Sequence, residues 1–166
     1  MTVRNPGVIR LTWPASRAPS FALFRTAYGG EPTTRFLHDG EALVGEYNNT
    51  SGAGGLLRRY IHGPGIDDPV VWYEGAGTAN RRFYHADERG SITAVTSNAG
   101  ATIAIDSYDD WGIPAPGNLG RFQYTGQAWI AQLGMYHYKA RIYSPTLGRF
   151  MQTDPIGYDD GIDVRP

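Results

Sequence analysis

The chain has 166 residues, of which 41% are apolar and 19% are charged, and its net charge is −1. This length suits one domain of ordinary size, and the nearly neutral charge provides no attraction to nucleic acid or to an anionic membrane. The absence of cysteine excludes disulfides, thiolate nucleophiles and cysteine-based metal sites.

No targeting segment or membrane span is visible in the sequence. Residues Met1 to Phe24 contain no apolar run of about 7 residues, which a signal peptide would need. No window approaches the roughly 18 apolar residues of a membrane-spanning helix. We therefore expect neither feature, and the location of the protein stays unknown from its residues.

The first segment, residues 1–32, differs in pattern from the rest of the chain. Four prolines interrupt every candidate helix or strand, and the apolar residues show no steady period. We predict that residues 1–32 are poorly ordered, that residues 33–158 form one structured segment, and that residues 159–166 are a disordered tail.

From residue 33 the chain alternates short strand-like runs with turn residues, which predicts an all-β fold. Asp39-Gly40 is a strong hairpin-turn dipeptide between two such runs. The 22 glycines supply turn conformations, and the 11 tyrosines suit a half-buried pleated surface. The runs that we predict as strands before the first clear repeat are 35–38, 42–47, 56–62 and 69–74.

The clearest internal repeat is an Asp-x-x-Gly spacing that occurs twice. Asp87 to Gly90 separates the runs 82–86 and 91–96, and Asp109 to Gly112 follows the run 101–108. Aspartate side chains bond their own backbone in such turns. Repeats of this kind are typical of proteins whose units bury their apolar faces against their neighbours.

Residues 133–143 alternate between apolar and polar side chains and are predicted as one long strand. The run Ser144 to Gly148 then predicts a turn. Arg149, which follows this turn, is expected to anchor it by bonding carbonyl groups or a carboxylate.

The segment from Tyr138 to Gly157 resembles the signature of the Rhs repeat-associated core, found in Rhs (YD-repeat) proteins. Residues 84–91 and 108–112 are similar to YD-repeat units, and residues 120–127 also fit the core. The resemblance covers roughly residues 34–158. Its signature residues here are Tyr143, Pro145, Gly148, Arg149, Phe150, Asp154, Pro155 and Gly157.

The resemblance implies successive antiparallel hairpins that form a curled, unclosed sheet, a fragment of a β-shell enclosing a carboxy-terminal toxin. It implies other Rhs shell repeats or such a toxin as partners, and family members are often exported or associated with the cell surface. We accordingly expect a structural shell segment that is not an enzyme. Because a second Asp-Pro-x-Gly and a toxin do not follow residue 157, a truncated gene product is expected.

By the same resemblance, Asp154 is the candidate catalytic residue, as one member of an aspartate pair that cleaves the family's own chain. Two neighbouring carboxylates can supply acid and base for peptide hydrolysis. The alternative is that Asp154 begins a turn ahead of Pro155, which ordinary turn chemistry explains.

Neither a cofactor nor a metal site is predicted. The four histidines are far apart in sequence, and the acidic pairs lack the spacing of a calcium loop.

Carbohydrate at the cell surface remains an alternative partner, because aromatic side chains could form a stacking surface. The competing interpretation is that they pair across strands inside the sheet. The aromatic residues concerned are Trp72, Tyr73, Trp111, Tyr124, Trp129, Tyr136 and Tyr138.

Overall fold

The computed structural model describes residues 20–24, 34–48 and 55–154. Twelve β-strands and one short 3-10 turn (Tyr124–Gly126) make up the regular structure, and no α-helix occurs among the described residues. The strands are β1 (Ser20–Phe24), β2 (Thr34–Asp39), β3 (Ala42–Asn48), β4 (Leu56–His62), β5 (Pro69–Glu74), β6 (Arg81–Ala86), β7 (Ile92–Ser97), β8 (Thr102–Ile105), β9 (Ala128–Ile130), β10 (Met135–Tyr138), β11 (Arg141–Ser144) and β12 (Arg149–Phe150).

The strands form two sheets that are built from consecutive antiparallel neighbours. The larger sheet has the order β1 to β8, which is the chain order, and the smaller has the order β12-β11-β10-β9. The described pairings are antiparallel, for example Tyr84 opposite Val95 in β6 and β7. The predicted all-β fold of successive antiparallel hairpins in an unclosed sheet is confirmed.

The chain divides into two compact units. Unit 1 comprises Met1–His62 and Val71–Arg81, and unit 2 comprises Gly63–Val70 and Arg82–Pro166. Of the segment predicted to be poorly ordered, only β1 lies within the described residues, where it pairs with β2. The remainder of residues 1–32 and the predicted tail 159–166 lie outside them.

Unit 1 buries an acidic side chain among its aromatic core residues. Glu46 on β3 is 1% exposed, and it accepts a hydrogen bond from the hydroxyl of Tyr60, which is also buried. Arg58 lies 3.6 Å from Glu46 and donates to Glu74 at 3.1 Å. Its guanidinium also lies over the ring of the buried Trp72. Charge pairing and hydrogen bonding therefore compensate the burial of Glu46.

The electrostatics of Arg58 agree with this arrangement. Burial acts to lower the pKa of Arg58, but the negative charges of Glu46 and Glu74 outweigh it and raise that pKa. The guanidinium is thus held in its charged form by two carboxylates on neighbouring strands.

The prediction of one long strand over residues 133–143 is wrong. The chain reverses between Tyr138 and Arg141, which pair directly across β10 and β11. Lys139 adopts a left-handed backbone (φ 53°), and its ammonium lies 2.9 Å from the carboxylate of Asp67. A left-handed conformation is unfavourable for a residue with a Cβ, so the tight turn depends on support from outside the hairpin.

Candidate functional site

The two Asp-x-x-Gly turns share one hydrogen-bond pattern, as their sequence predicts. Asp87 Oδ1 accepts from the backbone N–H groups of Arg89 and Ser91, at 2.9 and 2.8 Å. Asp109 Oδ1 accepts from Trp111 and Ile113 in the same way, at 3.0 and 2.8 Å. In each turn the glycine is left-handed, and its N–H bonds the carbonyl of the aspartate. This is a type I turn closed by a glycine bulge, a common hairpin connection.

A third turn of the same construction joins β7 to β8, and the sequence search for Asp-x-x-Gly missed it. Ser97 replaces the aspartate, and its hydroxyl accepts from the N–H groups of Ala99 and Ala101 at 3.3 and 3.2 Å. Gly100 is left-handed (φ 80°) and bonds the Ser97 carbonyl. A pattern that admitted serine as well as aspartate would have found it.

Three tyrosine hydroxyls hold the second Asp-x-x-Gly turn in place. Tyr124 donates to the carbonyl of Asp110 at 3.4 Å, Tyr143 to that of Trp111 at 3.0 Å, and Tyr136 to that of Gly112 at 2.8 Å. Burial raises the pKa of Tyr136, so its hydroxyl remains a donor. The turn at residues 109–112 is therefore attached to the smaller sheet through its backbone.

The signature residues Tyr143 to Phe150 form the hairpin of β11 and β12. Pro145 is fully buried at the start of the turn, and Gly148 is left-handed (φ 63°). A methyl group on Gly148 would lie 2.9 Å from the indole of Trp111, so only glycine fits there without a shift. Because Gly148 has no side chain, this hairpin packs directly against the turn at residues 109–112.

An aromatic cluster covers the end of this signature hairpin. The Phe150 ring packs edge-on against the rings of Tyr138 and Tyr143, with centroids 5.4 and 5.5 Å apart. The Arg141 guanidinium lies 3.9 Å from the centre of the Phe150 ring. These aromatic side chains pair with one another across strands.

Asp154, the candidate catalytic residue, makes an ion pair with Arg141 at 3.0 Å. Its side chain is 19% exposed. Arg149, which we expected to anchor the turn, is exposed, and it is Arg141 that contacts the carboxylate of Asp154. Pro155 and Gly157, the other two predicted signature residues, lie outside the described residues.

The four histidines do not form a common cluster. His62 Nε2 lies 2.8 Å from the carbonyl of Leu43, and His85 Nε2 lies 2.9 Å from the hydroxyl of Thr96. Over residues 20–24, 34–48 and 55–154, no group of three or more histidine and acidic side chains could hold a metal ion. The same residues include no helix long and apolar enough to cross a membrane.

Unit 2 contains a polar cleft of about 480 Å³ beside the first Asp-x-x-Gly turn. Two residues that line the cleft, Asp67 and Thr125, have left-handed backbones although they are not glycines. The hydroxyls of Thr125 and Tyr138 lie 2.6 Å apart. The lining residues are Ile66, Asp67, Glu88, Arg89, Gly90, Thr125, Gln127 and Tyr138.

Asp106 is a buried carboxyl group that follows β8. It is 3% exposed, and Oδ1 accepts a hydrogen bond from the N–H of Leu119 at 3.0 Å. Its Oδ2 is buried and has no hydrogen-bond partner among the described residues. Burial raises the pKa of Asp106, although the bond from Leu119 acts in the opposite direction. The ionised form is therefore disfavoured in the folded chain.

We expect Asp106→Asn to stabilise the chain at pH 7 by about 1 kcal/mol, because it removes a buried negative charge. A raised pKa means that the contribution of Asp106 to stability is complete below its unfolded value and decreases as the pH rises through its folded value. The advantage of the variant should therefore shrink as the pH falls toward the ordinary aspartate pKa. Urea unfolding at several pH values measures this.

The matched control is Asp110→Asn, since Asp110 is an exposed aspartate in the adjacent turn. It should change the free energy of unfolding by no more than about 0.5 kcal/mol at any pH. An Asp106→Asn variant that is less stable than the original chain at pH 7 would contradict the prediction.

Curated relatives that are named as a nuclease or as toxins match most of this chain. It is 29% identical over 134 residues to "tRNA nuclease WapA" of Bacillus subtilis, a match to 77% of this chain and 6% of the nuclease. It is 28% identical over 155 residues to "Double-stranded DNA deaminase toxin A" of Burkholderia cenocepacia, a match to 80% of this chain and 10% of the deaminase. It is 28% identical over 108 residues to "Toxin protein Tse5" of Pseudomonas aeruginosa, a match to 63% of this chain and 8% of the toxin. No protein-family model matches the chain.

Solved structures show the same fold. The TcdB2-TccC3-TEV crystal structure matches 99% of this chain with a TM-score of 0.67 at 19% identity, and the match covers 9% of that chain. A variant of the Photorhabdus luminescens Tc holotoxin pore also matches 99% of this chain with a TM-score of 0.67, at 18% identity and over 8% of that chain. Identities this low establish the fold alone.

The comparisons correct the expectation that the protein is not an enzyme. The relatives include proteins named as nucleases and a deaminase, which are enzymes. That expectation considered only the residues of this chain, whereas the chain spans 6 to 10% of the length of these relatives.

The relatives, the shared fold and the signature hairpin agree with one another. The chain thus resembles the Rhs-type (YD-repeat) proteins that are associated with toxins.

Proposed function

We propose that this chain forms a segment of the β-sheet wall of an Rhs-type shell that accompanies a toxin. The observation that carries the proposal is the recurrence of one turn. The connections between β6 and β7 and between β7 and β8, and the turn at residues 109–112, use the same backbone pattern. A connection of constant geometry adds antiparallel strands to a sheet one after another, which is how repeat architectures grow.

The signature hairpin and the turn at residues 109–112 reinforce each other in this proposal. The hydroxyl of Tyr143 and the Gly148–Trp111 contact join them within unit 2. Such a rigid connection suits a wall segment that must keep its geometry while enclosing other material. The partners in this proposal are further Rhs repeats and the toxin of the same assembly.

The nuclease and deaminase activities belong to the relatives that carry those names. We infer that a whole protein containing this segment delivers an enzyme of the toxin class. Which reaction and which substrate it has are properties of a region outside the matched segment.

A chimera tests the wall proposal. The matched segment of the Bacillus subtilis relative would be replaced by this chain, and limited proteolysis would measure how long the rest of the protein resists digestion. We expect protection close to that of the unmodified relative. A chimera that folds, by its elution volume and circular dichroism, but loses protection would contradict the proposal.

The matched control is the same chimera carrying Gly148→Val. Valine at a left-handed position against the Trp111 indole disrupts the signature hairpin without altering any charge. Its protection should fall at least several-fold below that of the first chimera.

For Asp154 we propose a structural role, supported by its ion pair with Arg141. Arg141 lies both on the carboxylate and over the Phe150 ring, so the pair attaches the chain after β12 to the aromatic cluster. Self-cleavage at this residue stays a prediction from the resemblance. Intact mass measurement of the Asp154→Asn variant tests it: fragments that disappear in the variant would favour cleavage, and an unchanged mass pattern favours the structural role.

A further inference from the structure

Unit 2 concentrates its strained backbone at the polar cleft. Among the described residues, the left-handed residues that are not glycines are Asp67, Thr125 and Lys139, with φ of 55°, 50° and 53°. Asp67 and Thr125 line the cleft, and the Lys139 ammonium lies 2.9 Å from the Asp67 carboxylate. A side chain disfavours this backbone, which persists where neighbouring contacts hold it and is concentrated at ligand clamps and switches. The contacts that hold Asp67 and Lys139 are therefore the ones to consider.

Residues 64–67, which we call the strap, form one wall of the cleft. Ile66 and Asp67 line the cleft from this side, and Ile66 is 87% exposed. At the base of the strap, the N–H of Gly63 donates a hydrogen bond to the carbonyl of Asp68 at 2.7 Å. The chain thus leaves and returns at one point, so the strap can swing as a unit about this base.

The strap is attached to the rest of unit 2 through Asp67. Its carboxylate pairs with Lys139 in the β10–β11 turn, and its carbonyl oxygen lies so close to Gly126 that a methyl group there would overlap it. The paired side chains are 28% and 27% exposed, and partly exposed pairs stabilise weakly and are screened by salt. Because both partners have left-handed backbones, breaking the pair allows each to relax. The closed strap is therefore only slightly more stable than an open one.

We propose that the strap closes the polar cleft, and that breaking the Lys139–Asp67 pair releases it. With the strap in place, Gln127 at the cleft is 6% exposed, and the hydroxyls of Thr125 and Tyr138 lie 2.6 Å apart. Release of the strap gives solvent, or a polar ligand, access to these three side chains. This device belongs to the cleft, so it goes beyond the wall proposal and does not depend on it.

Alkylation of an introduced thiol by iodoacetamide, an uncharged reagent, measures the release in the full chain. The chain has no cysteine, so Gln127→Cys reports on the cleft. Lys139→Gln removes the charge and keeps a long side chain. We expect it to speed the alkylation of Gln127→Cys about fivefold, the factor that corresponds to the loss of a partly exposed ion pair. Asp67→Asn should act alike and add nothing in combination, since both variants break one contact.

Salt should release the strap of the original pair as well. Raising NaCl from about 0.05 to about 1 M screens the attraction between Lys139 and Asp67, so alkylation of Gln127→Cys should become faster. The same change of salt should have little effect once Lys139→Gln is present.

Two controls separate release of the strap from other changes. Arg89 is another cation that lines the cleft, but its carboxylate neighbour is Asp87 at 4.0 Å. Arg89→Gln should therefore change the alkylation of Gln127→Cys less than about twofold. Val95, which is 0% exposed on β7, reports on wider unfolding. Alkylation of Val95→Cys should be at least about a hundredfold slower and, unlike that of Gln127→Cys, should rise steeply with urea.

Two results would overturn the proposal. One is a change below about twofold in the alkylation of Gln127→Cys when Lys139→Gln is introduced. The other is alkylation of Gln127→Cys with the same rate and urea dependence as Val95→Cys, because the cleft would then open by unfolding and not by release of the strap.

Discussion

Replacing Glu46 with alanine should lower the free energy of unfolding of the chain by about 3 kcal/mol. Breaking a buried charge pair by removing one partner typically costs about 3 to 5 kcal/mol, since the other charge is left in a poor environment. Here the expected loss is at the lower end, because the Arg58 side chain is 35% exposed and keeps its bond to Glu74. The buried Tyr60 hydroxyl also loses Glu46 as an acceptor.

Two control variants separate burial from charge in urea unfolding of the whole chain. Glu74→Ala removes the other carboxylate of Arg58, but its side chain is 26% exposed, and the cost should not exceed about 1 kcal/mol. Glu46→Gln keeps the volume and an oxygen acceptor for Tyr60, and should cost less than Glu46→Ala. Equal losses for Glu46→Ala and Glu74→Ala would show that the burial of Glu46 is not what matters.

Replacing Gly126 with alanine should destabilise unit 2 by about 2 to 5 kcal/mol. Gly126 is left-handed (φ 70°), a conformation that costs an L-residue about 1 to 2 kcal/mol. In addition, a methyl group there would overlap the backbone carbonyl oxygen of Asp67. Relieving such overpacking costs typically about 1 to 3 kcal/mol. Asp67 cannot move freely to make room, since its carboxylate is paired with Lys139.

Gly100→Ala is the matched control for this prediction. Gly100 is also left-handed (φ 80°), but a methyl group on it would meet no atom within 4 Å. It should therefore cost only the backbone strain, about 1 to 2 kcal/mol. Equal midpoints for the two variants in thermal or urea unfolding would mean that the contact with Asp67 contributes nothing.

The turns of this fold could be predicted from the sequence, because their own side chains and glycines determine them. An aspartate three positions before a glycine creates its own hydrogen bonds, so the turns at Asp87 and Asp109 were predictable without any tertiary information. The same holds for the hairpin after Tyr143, where Pro145 and Gly148 occupy the positions that a tight turn requires.

The expectation that the protein is not an enzyme was wrong because it was drawn from one part of a longer protein. The activities named among the relatives belong to proteins of which this chain spans 6 to 10%. The residues of this chain carry information on its own strands, turns and packing, and none on a catalytic site elsewhere in a longer polypeptide.

The sequence by itself determined the all-β class, the Asp-x-x-Gly turns and the resemblance to Rhs-type proteins, because each depends on residues that are adjacent or closely spaced in the chain. Only the tertiary structure decided the reversal at Lys139, the burial of Glu46 and the pairing of Asp154 with Arg141. The left-handed backbone and the buried charge are unfavourable for the residue alone, and an ion pair needs a second residue. In each case the stabilising contact comes from a partner on another strand or loop. Such compensation depends on distances in space, which no local pattern contains.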